Sequence, residues 1–252
     1  MIVGNERPNG HYTPCEQCPL RQRKALREFT PEELAFVKQF KTDELRVDAG
    51  VSFLRQGATS EYLYTVLSGW AFRYKMLADG RRQILNYALP ADMVGLQGAL
   101  MREMEHSVEA LTSVVLCMFP RSKLWDLYSR LPSLAFDITW MAAREESLGD
   151  ESLVSLGRRT ALERTAYLLL HLFNRADEAG LTKNGTIQFA FTQQHVADTL
   201  GMSLVHTNKT LKRLFASNAI RWKDRVFEMI DRDALAAIAG EDEKPHLSRP
   251  FI

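Results

Sequence analysis

The sequence predicts an α+β chain: an N-terminal β-roll of the jelly-roll type, one long helix, and a C-terminal winged helix-turn-helix. Three observations carry that prediction. Apolar residues recur with period two from Leu45 to about Phe119, as half-buried strands require. After Pro120 the spacing lengthens to a near-heptad repeat. Residues 192–214 then hold two short helical patterns around Gly201 at helix-turn-helix spacing.

Composition fits this reading. The chain has 252 residues, 46% hydrophobic and 25% charged, enough to bury a sizeable core. A mostly disordered, collagen-like or disulfide-dense chain is excluded. No uncharged apolar run approaches the length of a membrane span, and MIVGNERPNGHYTPCEQC lacks the apolar core of a secretory signal. A cytoplasmic protein without membrane contact is expected. Three cysteines then read as free thiols or metal ligands in a reducing compartment.

Residues 1–28, with Pro8, Gly10, Pro14 and Pro19, read as an irregular arm. Thr30-Pro31-Glu32-Glu33 combines an N-cap, proline at the first helical position and a capping-box glutamate. Leu34, Val37 and Phe40 give the following short helix an apolar stripe. In the β region, Trp70, Phe72, Tyr74 and Met76 alternate with Ala71, Arg73 and Lys75. Tyr62, Tyr64 and Val66 form a second run, and Val108, Ala110, Thr112, Val114, Leu116 and Met118 a third. Gly50, Gly57, Gly69, Asp79-Gly80 and Pro90-Ala91-Asp92 supply the turns. In the long helix, Leu134, Ile138, Met141, Leu148 and Ser155 form a seam that pairing with a second copy would cover.

Gly157-Arg158-Arg159 ends that helix. Leu162, Ala166, Leu169, Leu170 and Phe173 share the face of the next one, which Gly180 stops. Ile187, Phe189 and Phe191 alternate as a strand, and residues 220–227 read as a hairpin. The tail GEDEKPHLSRPFI is expected to be mobile. These readings divide the chain into an arm (1–28), a β-roll domain (29–120), a dimerisation-helix region (121–156), a winged helix-turn-helix (157–235) and a tail (236–252).

Net charge is +1, but residues 157–225 hold eleven Lys/Arg against five Asp/Glu. One basic compartment in a near-neutral chain suits a polyanion partner for that compartment, although a solvated charged face would read the same way. Within it, Thr192 caps the first helix of the pair, and Ala197 is small where the helices cross. Gly201 falls where the turn needs a positive φ. Val196, Leu200, Met202, Leu204, Leu211 and Leu214 supply the packing face, and Ser203 caps the second helix. That helix presents Val205, His206, Asn208, Lys209, Lys212 and Arg213 to a major groove. The hairpin adds Arg221 and Lys223 as a wing on the phosphate backbone. Thr207 and Thr210 stand where hydrophobes are expected in such a motif.

A β-roll, a long helix and a winged helix-turn-helix in this order resemble the CRP/FNR family of bacterial transcription regulators, over about residues 30–235. DGRRQILNYALPADMVG is similar to the strand-turn-strand segment of its cyclic-nucleotide-binding-like roll, and TQQHVADTLGMSLVHTNKTLKRL to its recognition motif. The resemblance implies a homodimer on palindromic double-stranded DNA that contacts RNA polymerase, with a small signal on the roll resetting the DNA-binding domains. Family members that bind cyclic AMP carry Gly-Glu and Arg-Ser where this chain has Gly95-Leu96 and His106-Ser107. Without that charged pair, cyclic AMP is not expected as the signal.

Cys15-Glu-Gln-Cys18 resembles the arm of the FNR branch, whose thiolates hold an oxygen-labile [4Fe–4S] cluster, and Cys117 falls where that branch has its distant ligand. The branch has a third arm cysteine where Leu26 stands here. A cluster on Cys15, Cys18 and Cys117 would need His11, Glu16, another carboxylate or an exogenous thiol as the fourth ligand. A thiol switch or another metal, and cysteines without function, stand beside that reading. On the recognition helix the family's base-reading Glu and Arg are replaced by Val205 and Lys209, so a shifted site preference is expected.

Other functions fit less of the chain. A jelly-roll oxygenase needs two or three histidines and a carboxylate in the barrel, and only His106 lies in the β region. A haem sensor on this fold would draw on His106 and Cys117. A roll that only scaffolds, with no signal, is the plainest alternative.

Overall fold

The computed structural model describes residues 12–241 and 248–252. His11, one of the fourth-ligand candidates, and residues 242–247 of the tail lie outside them. Two four-stranded antiparallel sheets form the roll. Strands β1 (Asp43–Val47), β2 (Ser52–Leu54), β3 (Tyr62–Ser68), β4 (Ala71–Met76), β5 (Arg82–Ala88), β6 (Met93–Val94), β7 (Ser107–Ala110) and β8 (Val114–Pro120) are ordered β1-β8-β3-β6 in one sheet and β2-β7-β4-β5 in the other. Leu54, Val66, Ala71, Val108, Ala110 and Leu116 fill the space between them.

The outer faces of both sheets are also covered, so the period-two pattern is only half the account. On β4 the sequence reading takes Trp70 and Phe72 as one face of an alternating strand. Ala71 is the residue that points into the roll, and Trp70 and Phe72 are buried on the other side against the C-terminal domain. Leu63, Cys117 and Phe119 on the outside of the first sheet lie under the arm and the helices α1 (Pro31–Phe40), α3 (Leu124–Arg130) and α4 (Pro132–Arg158). A short helix, α2 (Leu96–Met101), follows Gly95, whose φ of +94° opens the turn after β6.

The capping box at Thr30 and Glu33 forms as expected: Glu33 N donates to Thr30 Oγ1 at 3.2 Å and Thr30 N to Glu33 Oε2 at 2.8 Å. The arm is more ordered than its composition suggests. Cys15–Gln17 and Pro19–Gln22 form two 3-10 turns, and Cys15, Leu20 and Leu26 are buried. The expected seam of α4 also needs correcting. Leu134, Ile138 and Met141 are buried in the chain's own core and Leu148 is half-buried, whereas Phe136, Ala143, Ser147 and Val154 face outward.

The C-terminal domain packs α5 (Ala161–Glu178), α6 (Gln193–Leu200), α7 (Leu204–Phe215) and α8 (Arg232–Ala239) beside a three-stranded sheet ordered β10-β11-β9, with β9 at Thr186–Gln188, β10 at Ile220–Lys223 and β11 at Val226–Met229. Phe189 and Phe191, expected on a strand, follow β9 as irregular chain. Their rings lie 4.3 Å apart, and Phe189 reaches Phe227 at 4.5 Å. Residues 248–252 do not stand free: Arg249, Phe251 and Ile252 are buried against the roll and the arm.

Candidate functional site

Helices α6 and α7 form the expected pair. Thr192 caps α6, its hydroxyl accepting from His195 N while Thr192 N donates to His195 Nδ1. Ala197 is buried at the crossing, and Gly201 adopts φ +60°. A Cβ there would meet only Gln83 Oε1 at 3.9 Å, so the glycine serves backbone conformation and not close packing. Ser203 caps α7 by accepting from His206 N at 3.2 Å.

The two threonines in the packing face resolve simply. Thr207 Oγ1 donates to Ser203 O at 3.1 Å and Thr210 Oγ1 to His206 O at 2.9 Å. Each hydroxyl is satisfied within the helix, leaving the methyl group to pack. Leu204 is the exception on that face: it is 42% exposed, at the outer end of the helix.

The opposite face is a continuous exposed row. Val205, His206, Lys209, Lys212 and Arg213 are exposed together, and among the described residues none of the three cations makes an ion pair. Asn208, expected beside them in the groove-facing set, is half-buried and its Oδ1 lies buried without a partner. In the hairpin, Asp224 and Arg225 both have positive φ, the geometry of a tight two-residue turn. Lys223 is exposed there, whereas Arg221 donates to Glu228 at 2.6 Å, so its charge is partly answered within the wing.

Sequence reasoning missed what holds this domain to the roll. Arg82 of β5 donates twice to Asp198 of α6, at 3.0 and 2.8 Å, and lies over the Phe72 ring. Tyr87 and Thr199 share a 3.0 Å hydrogen bond, and Gln83 donates to Thr199 O at 2.8 Å. Deeper in the interface Arg175 of α5 meets Asp92 at 2.5 Å. All these pairs join positions far apart in sequence, and only the turn character of Pro90-Ala91-Asp92 hinted at one of them.

Two cavities involve residues that the sequence reading singled out. One of about 650 Å³ lies between the roll and α4, with the Arg73–Glu145 ion pair, Leu96, His106 and Trp140 in its wall. His106 is buried with Nε2 unpartnered, and burial, aided by Arg73 and Lys75, pushes its pKa down to about 4. The other, of about 20 Å³, is lined by Cys15, Cys18 and Cys117 together with Leu20, Phe251 and Ile252. His106 and Cys117 therefore line different cavities and are not placed as an axial pair for haem.

The three cysteines line one cavity, but that cavity and the residues around it offer a poor fit to an iron–sulfur cluster. A cavity of that size holds about one water. Burial raises the pKa of all three thiols, that of Cys117 to about 12 against the opposing effect of Lys41. Leu26 is buried in the arm, and Glu16 is an exposed partner of Lys38 at 2.5 Å. Among the described residues no group of three or more His, Cys, Asp or Glu is placed to hold a metal ion. No helix among them is long and apolar enough to cross a membrane.

Comparison with known proteins matches both halves. Residues 44–130 fit the family model of the cyclic nucleotide-binding domain, and residues 163–238 that of the Crp-like helix-turn-helix domain. The chain is 30% identical to the nitrogen fixation regulation protein FixK of Bradyrhizobium diazoefficiens, over 92% of this chain and 96% of that one. It is 28% identical to the transcriptional activator protein FnrL of Cereibacter sphaeroides, over 90% and 92%. Among solved structures it is similar to FixK2 from Bradyrhizobium japonicum, with a TM-score of 0.71 and 25% identity over 80% of this chain and 98% of that one.

Proposed function

Because this chain belongs to the CRP/FNR family of transcription regulators, which are not enzymes, we propose that it is an activator that binds a palindromic promoter site as a homodimer. The observation that carries this reading is the exposed row on α7 opposite a face buried at Thr207, Thr210, Leu211 and Leu214. Val205, His206 and Lys209, with the amide end of Asn208, are assigned to base edges. Lys212, Arg213, Lys223 and Arg221 are assigned to phosphates, and Ser203 to fixing the helix entry. Two copies would place their α7 helices in successive major grooves about 34–36 Å apart. The outward face of α4 supports the pairing, and RNA polymerase is the partner the family resemblance implies.

For the signal we favour thiol chemistry at Cys15, Cys18 and Cys117 over a cluster, because the three line one cavity and lack a fourth ligand among the described residues. The test of the main reading is selection of binding sites from random duplex DNA with the purified protein. A two-fold symmetric consensus with half-sites one helical turn apart, bound in a salt-dependent manner, is expected. A sequence-indifferent pool would overturn it.

A further inference from the structure

Residues 248–252 return to the roll and are held there in three independent ways. Their backbone pairs with the arm: Arg249 N donates to Ala25 O and Arg27 N to Arg249 O, each at 2.9 Å. Their charge enters a buried site: Arg249 donates to Asp92 Oδ1 at 2.6 Å and to Pro90 O at 3.0 Å. Their apolar side chains fill a hole: Phe251 packs on Phe29 with ring centroids 4.8 Å apart, and Ile252 accepts through its main-chain oxygen from Thr65 Oγ1. Phe251 and Ile252 are both 3% exposed and both line the cavity shared by the three thiols.

A strand that merely rests on a surface makes contacts of one kind. This one satisfies its backbone, its charge and its apolar surface together, as peptides do in dedicated grooves. We propose that the Pro90–Asp92 turn, Thr65 and the thiol cavity form a peptide-binding site on the roll. Residues 248–252 occupy it in cis, and their seating decides whether Cys15 and Cys117 can be reached from solvent. The ligand is an extended peptide with arginine followed two residues on by an aromatic and then an aliphatic side chain. Seating also links the arm to Asp92, which holds Arg175 of the DNA-binding domain, so the site joins three parts of the chain. The inference rests on this packing and not on the DNA-binding reading.

The test compares the full chain with a variant lacking residues 242–252, measuring iodoacetamide modification of each cysteine by mass spectrometry. Loss of the segment is expected to speed modification of Cys15 and Cys117 by about ten-fold or more, because the thiols then no longer wait for local opening. An acetylated peptide of residues 248–252 added in excess is expected to restore protection. Equal rates in the two folded proteins, or no protection by the peptide, would overturn the proposal. Should the shortened chain fail to fold, Arg249→Gln and Phe251→Ser in the full chain give the same readout: faster modification of Cys117 supports the site, and an unchanged rate refutes it.

Discussion

Asp92, on the turn that leads into β6, accepts from Arg175 of α5 at 2.5 Å while its other oxygen accepts from Arg249 at 2.6 Å. All three side chains are buried. Burial alone would raise the carboxyl's pKa, but the two guanidinium groups outweigh it and hold it well below the usual carboxylate range. One carboxylate thus joins the roll, the DNA-binding domain and the 248–252 segment.

Asp92→Asn keeps the shape and removes the charge, leaving two buried cations without a counter-ion. We expect a loss of about 3–5 kcal/mol in unfolding free energy, read by urea denaturation. The folded-state pKa lies below the unfolded one, so this contribution is complete at neutral pH. It is lost only as pH falls through and below the ordinary carboxylate range.

His106 predicts a second, separable pH dependence. Its pKa is lowered from 6.5 to about 4 in the folded chain, so the unfolded chain binds its proton first on acidification. Stability from this residue is full above about pH 6.5 and declines as pH falls toward 4, by up to about 3 kcal/mol in all. Urea titrations between pH 7 and 4.5 are expected to show a shallower slope for His106→Gln than for the native chain. Identical slopes would mean that His106 does not titrate there.

The wing pair gives a prediction opposite to ordinary intuition about acidic residues. Glu228 partly offsets the charge of Arg221 in the free protein, so Glu228→Gln is expected to strengthen DNA binding at low salt. It should also steepen the slope of log K against log salt, by less than about one. Arg221→Ala is expected to change that slope by less than one. Anisotropy titrations across a salt series measure both.

Lys209 lies at the centre of the exposed row on α7. Lys209→Ala is expected to cost about 1–3 kcal/mol on the preferred site and to relax preference at one base pair per half-site. Competition binding against single-base variants separates this from a phosphate contact, which would weaken every site alike.

Local chemistry made much of this protein legible before its structure. The capping box at Thr30, the N-cap at Thr192, the positive φ at Gly201 and the hairpin at 220–227 depend on neighbours in sequence, and each forms as its residue types dictate. What resisted was burial from outside an element. Period two cannot tell that Ala71 faces the roll interior and Phe72 a second domain, because both faces of β4 are covered. Nor does a polar tail announce that Arg249 answers a carboxylate 157 positions away. The three cysteines could be counted and spaced, but the size of the cavity they share, and hence their poor fit to a cluster, exists only in three dimensions.

The long helix offers the sharpest separation of stability from assembly. Its predicted seam is consumed inside the chain, with Leu134 and Ile138 no more than 1% exposed and Met141 buried beside them. A second row, Phe136, Trp140, Ala143, Ser147, Val154 and Gly157, recurs at spacings of three and four, broken by Asp150, and is exposed except for the half-buried Trp140. Small residues on this row let two helices approach closely, and Phe136, 68% exposed, adds a large apolar side chain to it. Val154→Asp is therefore expected to yield a monomer by sedimentation with an unchanged melting transition, and to abolish binding to the symmetric site. Met141→Ala is expected to behave oppositely, lowering stability by about 2–5 kcal/mol while leaving the dimer intact. If Val154→Asp remains dimeric, the partner helix sits on another face.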